Sequence, residues 1–310
     1  MKAILLCPGQ GVQRVGMGQD LAGAFSPARS VFDQADAAMG GDLSRLMWEG
    51  PEADLTLTSN AQPAVLTHTL AVWAVVRHRI IPVAAAGHSL GEYAAYAALG
   101  ALSTQDAVRL VRRRGELMLE AGTRCPGAMA AVLGLDGAIV ERVCAAASGN
   151  GQDVVAANLN APDQTVISGH PHAVERAADQ LRAAGARRVV PLKVSGAFHS
   201  PLMATARVGL EAALAGVPLA DPAVPVVANA SAEPVTVAND ARRLLGEQLT
   251  APVRWVACMR RLVTDYPGVP FVEIGPGTVL AGLLKKIVPD ARCTSLGTAK
   301  DITTFLEQAA

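Results

Sequence analysis

The stretch AAAGHSLGEYAAYAALG, Ala84 to Gly100, runs from a short apolar strand straight into an alanine-rich helix, with Ser89 at the bend between Gly87 and Gly91. A Gly-x-Ser-x-Gly spacing suits a sharp strand-to-helix turn. The flanking glycines keep side chains away from a strained serine, and the first amides of the following helix face any oxyanion that forms there. The same residues also fit a tight turn with a buried hydroxyl. Strand and helix go on alternating on either side. AILLC (3–7) reads as a first strand, VAAAG (83–87) as the strand before the serine, and PVVANAS (225–231), PFVEIG (270–275) and RCTSLG (292–297) as later ones. Alternation of this kind predicts an α/β architecture, a parallel sheet covered on both faces. Ser26-Pro27 and Ser200-Pro201 each read as an N-cap followed by Pro at the first helical position.

Between Gly127 and Ser195 the order changes. AMAAVLGLD (128–136), DVVAANLN (153–160), QTVISGH (164–170) and ARRVVPLKVS (186–195) read as strands, with helices at AIVERVCAAA (138–147) and HAVERAADQLRAAG (172–185). The order βαββαβ is that of a ferredoxin-like unit. Residues 127–195 are therefore expected to form a small subdomain inserted into a larger catalytic domain made of 1–126 and 196–310.

Composition limits the function classes. At 310 residues, 51% hydrophobic and 17% charged, the chain can bury one large core. Lys plus Arg and Asp plus Glu both number 27, so no net field recruits nucleic acid or an anionic membrane. The five cysteines (Cys7, Cys125, Cys144, Cys258, Cys293) are scattered, without CxxC spacing, which predicts neither a zinc site nor a disulfide framework and fits a reducing, cytoplasmic compartment. Cys7, in an apolar strand, reads as a small buried hydrophobe rather than a reactive thiol. No apolar run suits a signal peptide or a membrane span.

A nucleophilic serine needs a base. His88 adjoins Ser89 and should point away, His68 lies in an apolar helix, and His170 and His172 fall on a surface-like turn. His199 sits between a strand and the helix at Ser200-Pro201, a junction where α/β proteins bind ligands; the alternative is a structural histidine beside Phe198. In STQDAVRLVRRRGELMLEAG, the helical period sets Arg114 on one face with Ala107, Leu110, Val111, Leu117 and Met118. A guanidinium on an apolar stripe requires an anion, either a ligand's or that of a buried Asp or Glu.

PGQGVQ (8–13), NAQPA (60–64), GHSLGEY, RGELM, ANLNAPDQTVISG, GAFHSPLM, EQLTAPVRW and EIGPGTVL follow one another in an order that resembles malonyl-CoA:acyl carrier protein transacylases, and the resemblance covers nearly the whole chain. It implies an α/β-hydrolase-like large domain with an inserted ferredoxin-like subdomain. It further implies transfer of a malonyl group from malonyl-CoA, with coenzyme A as product, to the phosphopantetheine thiol of an acyl carrier protein. No bound metal or other cofactor is implied, and the expected state is a monomer. By resemblance, Ser89 is the acylated nucleophile and His199 the general base and acid, oriented by the Gln248 backbone carbonyl, so that the Gln248 side chain is expected to be dispensable. Backbone N–H groups of Gln10 and Leu90 line the oxyanion hole, and Arg114 grips the malonyl carboxylate. Gln62, Asn158 and Asn160 belong to the pocket wall, and His88 and Phe198 match a malonyl-selective pattern. Cys7 and Val12 depart from the family, which has a bulkier residue before PGQG and Ser after it; near the hole, both bear on acyl or pantetheine selectivity. A serine hydrolase would instead want an acid between Ser89 and His199, where Asp153 and Asp163 lie within the insertion. A non-catalytic carrier-binding scaffold should have lost Ser89 or His199.

Overall fold

The structure is a computed structural model, and it describes residues 1–308. Ten strands form two sheets: β1 Lys2–Cys7, β2 Ile81–Gly87, β3 Ala128–Leu133, β4 Val154–Ala161, β5 Gln164–Gly169, β6 Arg188–Pro191, β7 Val226–Val227, β8 Pro234–Val235, β9 Phe271–Ile274 and β10 Cys293–Leu296. The larger sheet has the order β10-β9-β1-β2-β7-β8, parallel except for the edge strand β8. The smaller has the order β4-β5-β3-β6 and is antiparallel throughout, each long connection crossing by a helix, Gly137–Ala147 or Pro171–Ala183.

β1 shows why these strands read as unbroken apolar runs. Ala3, Leu5 and Cys7 point into one core layer, and Ile4 and Leu6 into the layer on the other face. A central parallel strand buried on both sides has no face left for polar residues. A third core, under the smaller sheet, joins Val132, Ile167, Val140 and Leu181.

Several boundaries differ from the sequence expectation. The first Ser-Pro pair sits one residue further inside its helix, Ser26–Met39, whose N-cap is the extended Phe25 with no side-chain hydrogen bond. Ser200 does cap, its Oγ accepting from Leu202 N–H, although the first turn there is a 3₁₀ helix, Pro201–Met203. The run expected as a strand over 186–195 pairs only at Arg188–Pro191, and PVVANAS only at Val226–Val227. β8 carried no recognisable strand pattern. Among the described residues no helix is long and apolar enough to cross a membrane.

Helix Thr58–Val76 buries nearly every side chain, His68 among them. Its Nε2 bonds the Gly297 carbonyl at 2.8 Å, and Nδ1 is buried without a partner. Burial, partly offset by that bond, lowers its pKa to about 4. Between about pH 6.5 and 4 the unfolded chain therefore binds a proton that the folded one refuses, and stability should fall with pH by on the order of 2–4 kcal/mol from this group. His68→Gln keeps a donor for Gly297 and should flatten that acid limb. Urea midpoints measured across the range, parent against variant, check it.

Candidate active site

The site lies where the central strands end. Beyond the carboxyl ends of β1, β2 and β7 come Gln10, Ser89 and Asn229, at the edge where open α/β sheets bind ligands. The glycines of the serine motif act by close approach. A Cβ on Gly87 would fall 1.9 Å from Gly91 backbone, and one on Gly91 would fall 2.0 Å from the Cys7 carbonyl oxygen. Side chains there would push strand, turn and helix Leu90–Ala98 apart. Ser89, between them, takes φ 51° and ψ −107°, a strained conformation for a residue with a Cβ. Asn229 holds the turn: its Oδ1 accepts from Ser89 N–H at 2.7 Å, and its Nδ2 donates to the Gly87 carbonyl at 2.8 Å.

The Pro8–Gln10 loop passes directly beside this turn, close enough that a Cβ on Gly9 would meet the His88 carbonyl oxygen at 2.6 Å. Gln10 donates from its side chain to Thr58 Oγ1. Among the described residues, the backbone N–H groups of Gln10 and Leu90 have no acceptor. Two free amides, one on the loop and one at a helix N-terminus, can serve a developing oxyanion.

His199 lies at the end of an irregular segment that follows β6, with φ 56° and 4% exposure. Its Nε2 is 2.7 Å from Ser89 Oγ and its Nδ1 2.9 Å from the Gln248 carbonyl oxygen. A carbonyl only accepts, so Nδ1 carries the proton and the Nε2 lone pair faces the serine hydroxyl. Burial, then the nearby Arg114 charge, lower the His199 pKa to about 3, which keeps the ring neutral. The structural-histidine alternative does not account for this contact. Neither Asp153 nor Asp163 orients His199: Asp163 pairs with Lys286 at the surface, and Asp153 lies in the turn before β4.

Arg114, 1% exposed in helix Thr104–Arg124, is placed as its periodicity predicts. Nη1 donates to Gln62 Oε1 at 2.8 Å, and Nη2 donates to Gln248 Oε1 at 3.0 Å and to Ser89 Oγ at 3.1 Å. Its guanidinium also lies 5.3 Å from the centroid of the Tyr93 ring, while Nε is buried without an acceptor. All three acceptors are neutral, so the alternative of a buried acid as direct partner does not hold.

Gln248 does more than expected. Besides its carbonyl on His199, its Nε2 donates to the Ser89 carbonyl at 3.0 Å and to Glu92 Oε2 at 2.7 Å, while Oε1 receives Arg114. These contacts weigh against the expectation of a dispensable side chain: removing it strips a buried cation of an acceptor and frees the Ser89 backbone carbonyl. Gln248→Ala should lower acylation of Ser89 by a thioester substrate at least about tenfold, or about 1.4 kcal/mol. Loading rates by intact mass would show it.

The remaining expected residues divide. Gln62 is fully buried against Arg114 and Met118. Asn160 Oδ1 bonds His88 Nε2 at 2.8 Å, and the His88 ring stands edge-on to Trp255 at 5.3 Å. Asn158 forms a backbone bridge to Val253, and its side chain bonds none of the other site residues. Phe198 packs in the main core at 8% exposure. Cys7 is wholly buried, its thiol pKa pushed far up by burial, and Val12 packs against the core. Sequence reasoning missed Asn229 and Glu92. A lone acid on the buried face of an alanine-rich helix was the available signal for Glu92; an Asn two residues past a two-residue strand offered almost none.

Fold and site together define an α/β enzyme of the serine-nucleophile class, with a cationic side chain sharing the nucleophile's oxygen. The chain belongs to the acyl transferase domain family, whose model matches residues 4–310. It is 46% identical over 288 residues to the malonyl CoA-acyl carrier protein transacylase of Bacillus subtilis, covering 92% of this chain and 90% of that one. The protein of the same name from Staphylococcus aureus is 38% identical over 307 residues, 99% of each chain. Among solved structures, the malonyl-CoA:acyl carrier protein transacylase of Xanthomonas oryzae superposes with a TM-score of 0.94 at 41% identity, over 99% of this chain and 98% of that one. A malonyl-transacylase in complex with a type II polyketide synthase acyl-carrier protein gives a TM-score of 0.94 at 39% identity, over 99% and 100%.

Proposed function

We propose that this enzyme moves a malonyl group from malonyl-CoA to the phosphopantetheine thiol of an acyl carrier protein, in fatty acid or polyketide biosynthesis, through a malonyl ester on Ser89. The observation that carries this reading is the buried Arg114, with neutral partners only, on the oxygen that would be acylated. A guanidinium there selects an acyl group ending in a carboxylate, because a desolvated cation gains most from a paired anion.

His199 takes the Ser89 proton as Oγ attacks the thioester carbonyl. The oxyanion is met by Gln10 and Leu90 N–H, and His199 returns the proton to the departing coenzyme A sulfur. In the second half His199 deprotonates the carrier thiol, which attacks the ester, and Ser89 leaves with the proton. Ser89, His199 and the two thiols account for every proton and electron pair, so the scheme calls on no metal or redox cofactor. The Gln62 amide steadies Arg114; His88, Phe198, Asn158 and Asn160 form the wall around the acyl group, with Asn160 fixing the His88 ring.

In this reading residues 1–126 and 196–310 make an α/β-hydrolase-like catalytic domain and 127–195 an inserted ferredoxin-like subdomain, supported by the strand order of the smaller sheet. The enzyme works as a cytoplasmic monomer, with neither nucleic acid nor membrane as partner. Incubation with a mixture of malonyl-CoA and acetyl-CoA, followed by intact mass measurement and addition of carrier protein, tests the whole. One malonyl group should appear on the enzyme and discharge to carrier. An adduct that empties into water as fast as into carrier thiol would favour a hydrolase.

A further inference from the structure

Glu92 has no part in that scheme, yet it is fully buried one helical turn beyond Ser89. Its Oε2 accepts from the Gln248 side-chain amide at 2.7 Å and from Asn229 N–H at 3.0 Å. Its Oε1 is buried with no donor. A half-satisfied carboxyl group in an apolar core is costly, and an apolar side chain of the same size would pack there at less expense.

What the carboxylate does is decided by the two residues it holds. The Gln248 amide could sit either way round, and the two orientations are chemically opposite. As placed, its NH₂ faces two acceptors, Glu92 Oε2 and the Ser89 carbonyl, and its oxygen faces the Arg114 N–H. Turned over, NH₂ would face N–H and oxygen would face oxygen. Asn229, the second residue held, clamps the strained Ser89 turn from both sides. One acceptor oxygen thus orders both the group that presents Arg114 and the group that shapes the nucleophile.

We infer that Glu92 is a positioning residue of this acyl-transfer site, its Oε2 fixing the orientation of the Gln248 amide towards Arg114 and tying Asn229 to the Ser89 turn. This rests on the transferase reading above and extends it. Burial raises the Glu92 pKa to about 7, opposed by the Asn229 and Gln248 hydrogen bonds and by Arg114, as befits an acceptor kept in an unfavourable place.

Three variants test it by malonyl loading of Ser89, with thermal midpoints recorded alongside. Glu92→Met keeps the volume and removes the acceptor; kcat should fall at least tenfold and KM for malonyl-CoA should rise. Glu92→Gln restores a neutral acceptor oxygen and should recover most of the loss, even at an equal thermal midpoint. In a Gln248→Ala background, Glu92→Met should cost clearly less than it does in the parent, because the Gln248 arm is already gone and only the tie to Asn229 is left to lose. Should the Met variant fail to fold, Glu92→Asp, one methylene short of both donors, should still lose fivefold or more. Full activity in the Met or Asp variant, activity losses in Met and Gln that simply track the thermal midpoint, or losses that multiply in the double variant would each overturn the role. A parent enzyme that acquires no malonyl group would instead bring down the functional reading itself.

Discussion

Replacing Ser89 by Ala should abolish the malonyl adduct and lower carrier loading by at least about 10⁴-fold, because every bond made and broken in the proposed exchange passes through its Oγ. The fold should survive. The Ser89 contacts that hold the turn run through its backbone, N–H to Asn229 and carbonyl to Gln248, and Ala retains both. His199→Ala should fall to a similar level, and the double variant should lose little more than either single one, since nucleophile and base act as a unit. Intact mass after incubation with malonyl-CoA, with circular dichroism for the fold, provides the check; an adduct persisting on another residue would overturn the assignment.

Arg114→Ala should separate malonyl-CoA from acetyl-CoA in the loading of Ser89. Malonyl-CoA loses the partner of its carboxylate in a desolvated site, a loss typically of about 2–5 kcal/mol, or roughly 30-fold to several thousandfold in kcat/KM. Acetyl-CoA has no carboxylate to lose. It should even gain, because Arg114 is among the causes holding the His199 pKa down and its Nη2 donates to the oxygen that must attack. Without that cation the imidazole becomes a stronger base and the serine a less encumbered nucleophile. Loading rates for the two thioesters, measured side by side, decide the matter: an equal loss for both would make Arg114 a structural residue. Acetyl loading that holds or rises while malonyl loading collapses would identify it as the carboxylate's partner.

The residues that carry these predictions were unequally legible. Ser89 stood out because a tight turn between strand and helix leaves a local signature: its glycines are demanded by neighbours four residues away or by the adjacent strand. Arg114 was legible through periodicity, since a helix carries an exposed and a buried face in a fixed 3.6-residue rhythm and a cation on the buried face breaks it. His199 was only one of several histidines until the wider motif order was considered. Its contact with Ser89 spans 110 residues and an irregular segment with a left-handed φ, which no local pattern encodes.

The sequence by itself determined the alternation of strands and helices, the βαββαβ interlude, the serine turn and the buried face of the Arg114 helix. Each depends on near neighbours in the chain, and backbone geometry and side-chain periodicity act at that range. Only the tertiary structure decided that Arg114 has no acid as direct partner, that the Gln248 side chain is shared by Arg114, Ser89 and Glu92, and that Asn229 holds the Ser89 turn. Those contacts join residues 134 to 159 positions apart, apart from the 25 between Ser89 and Arg114. They exist because parallel strands bring distant loops to one sheet edge, where buried polar groups must find partners among whatever side chains the fold delivers.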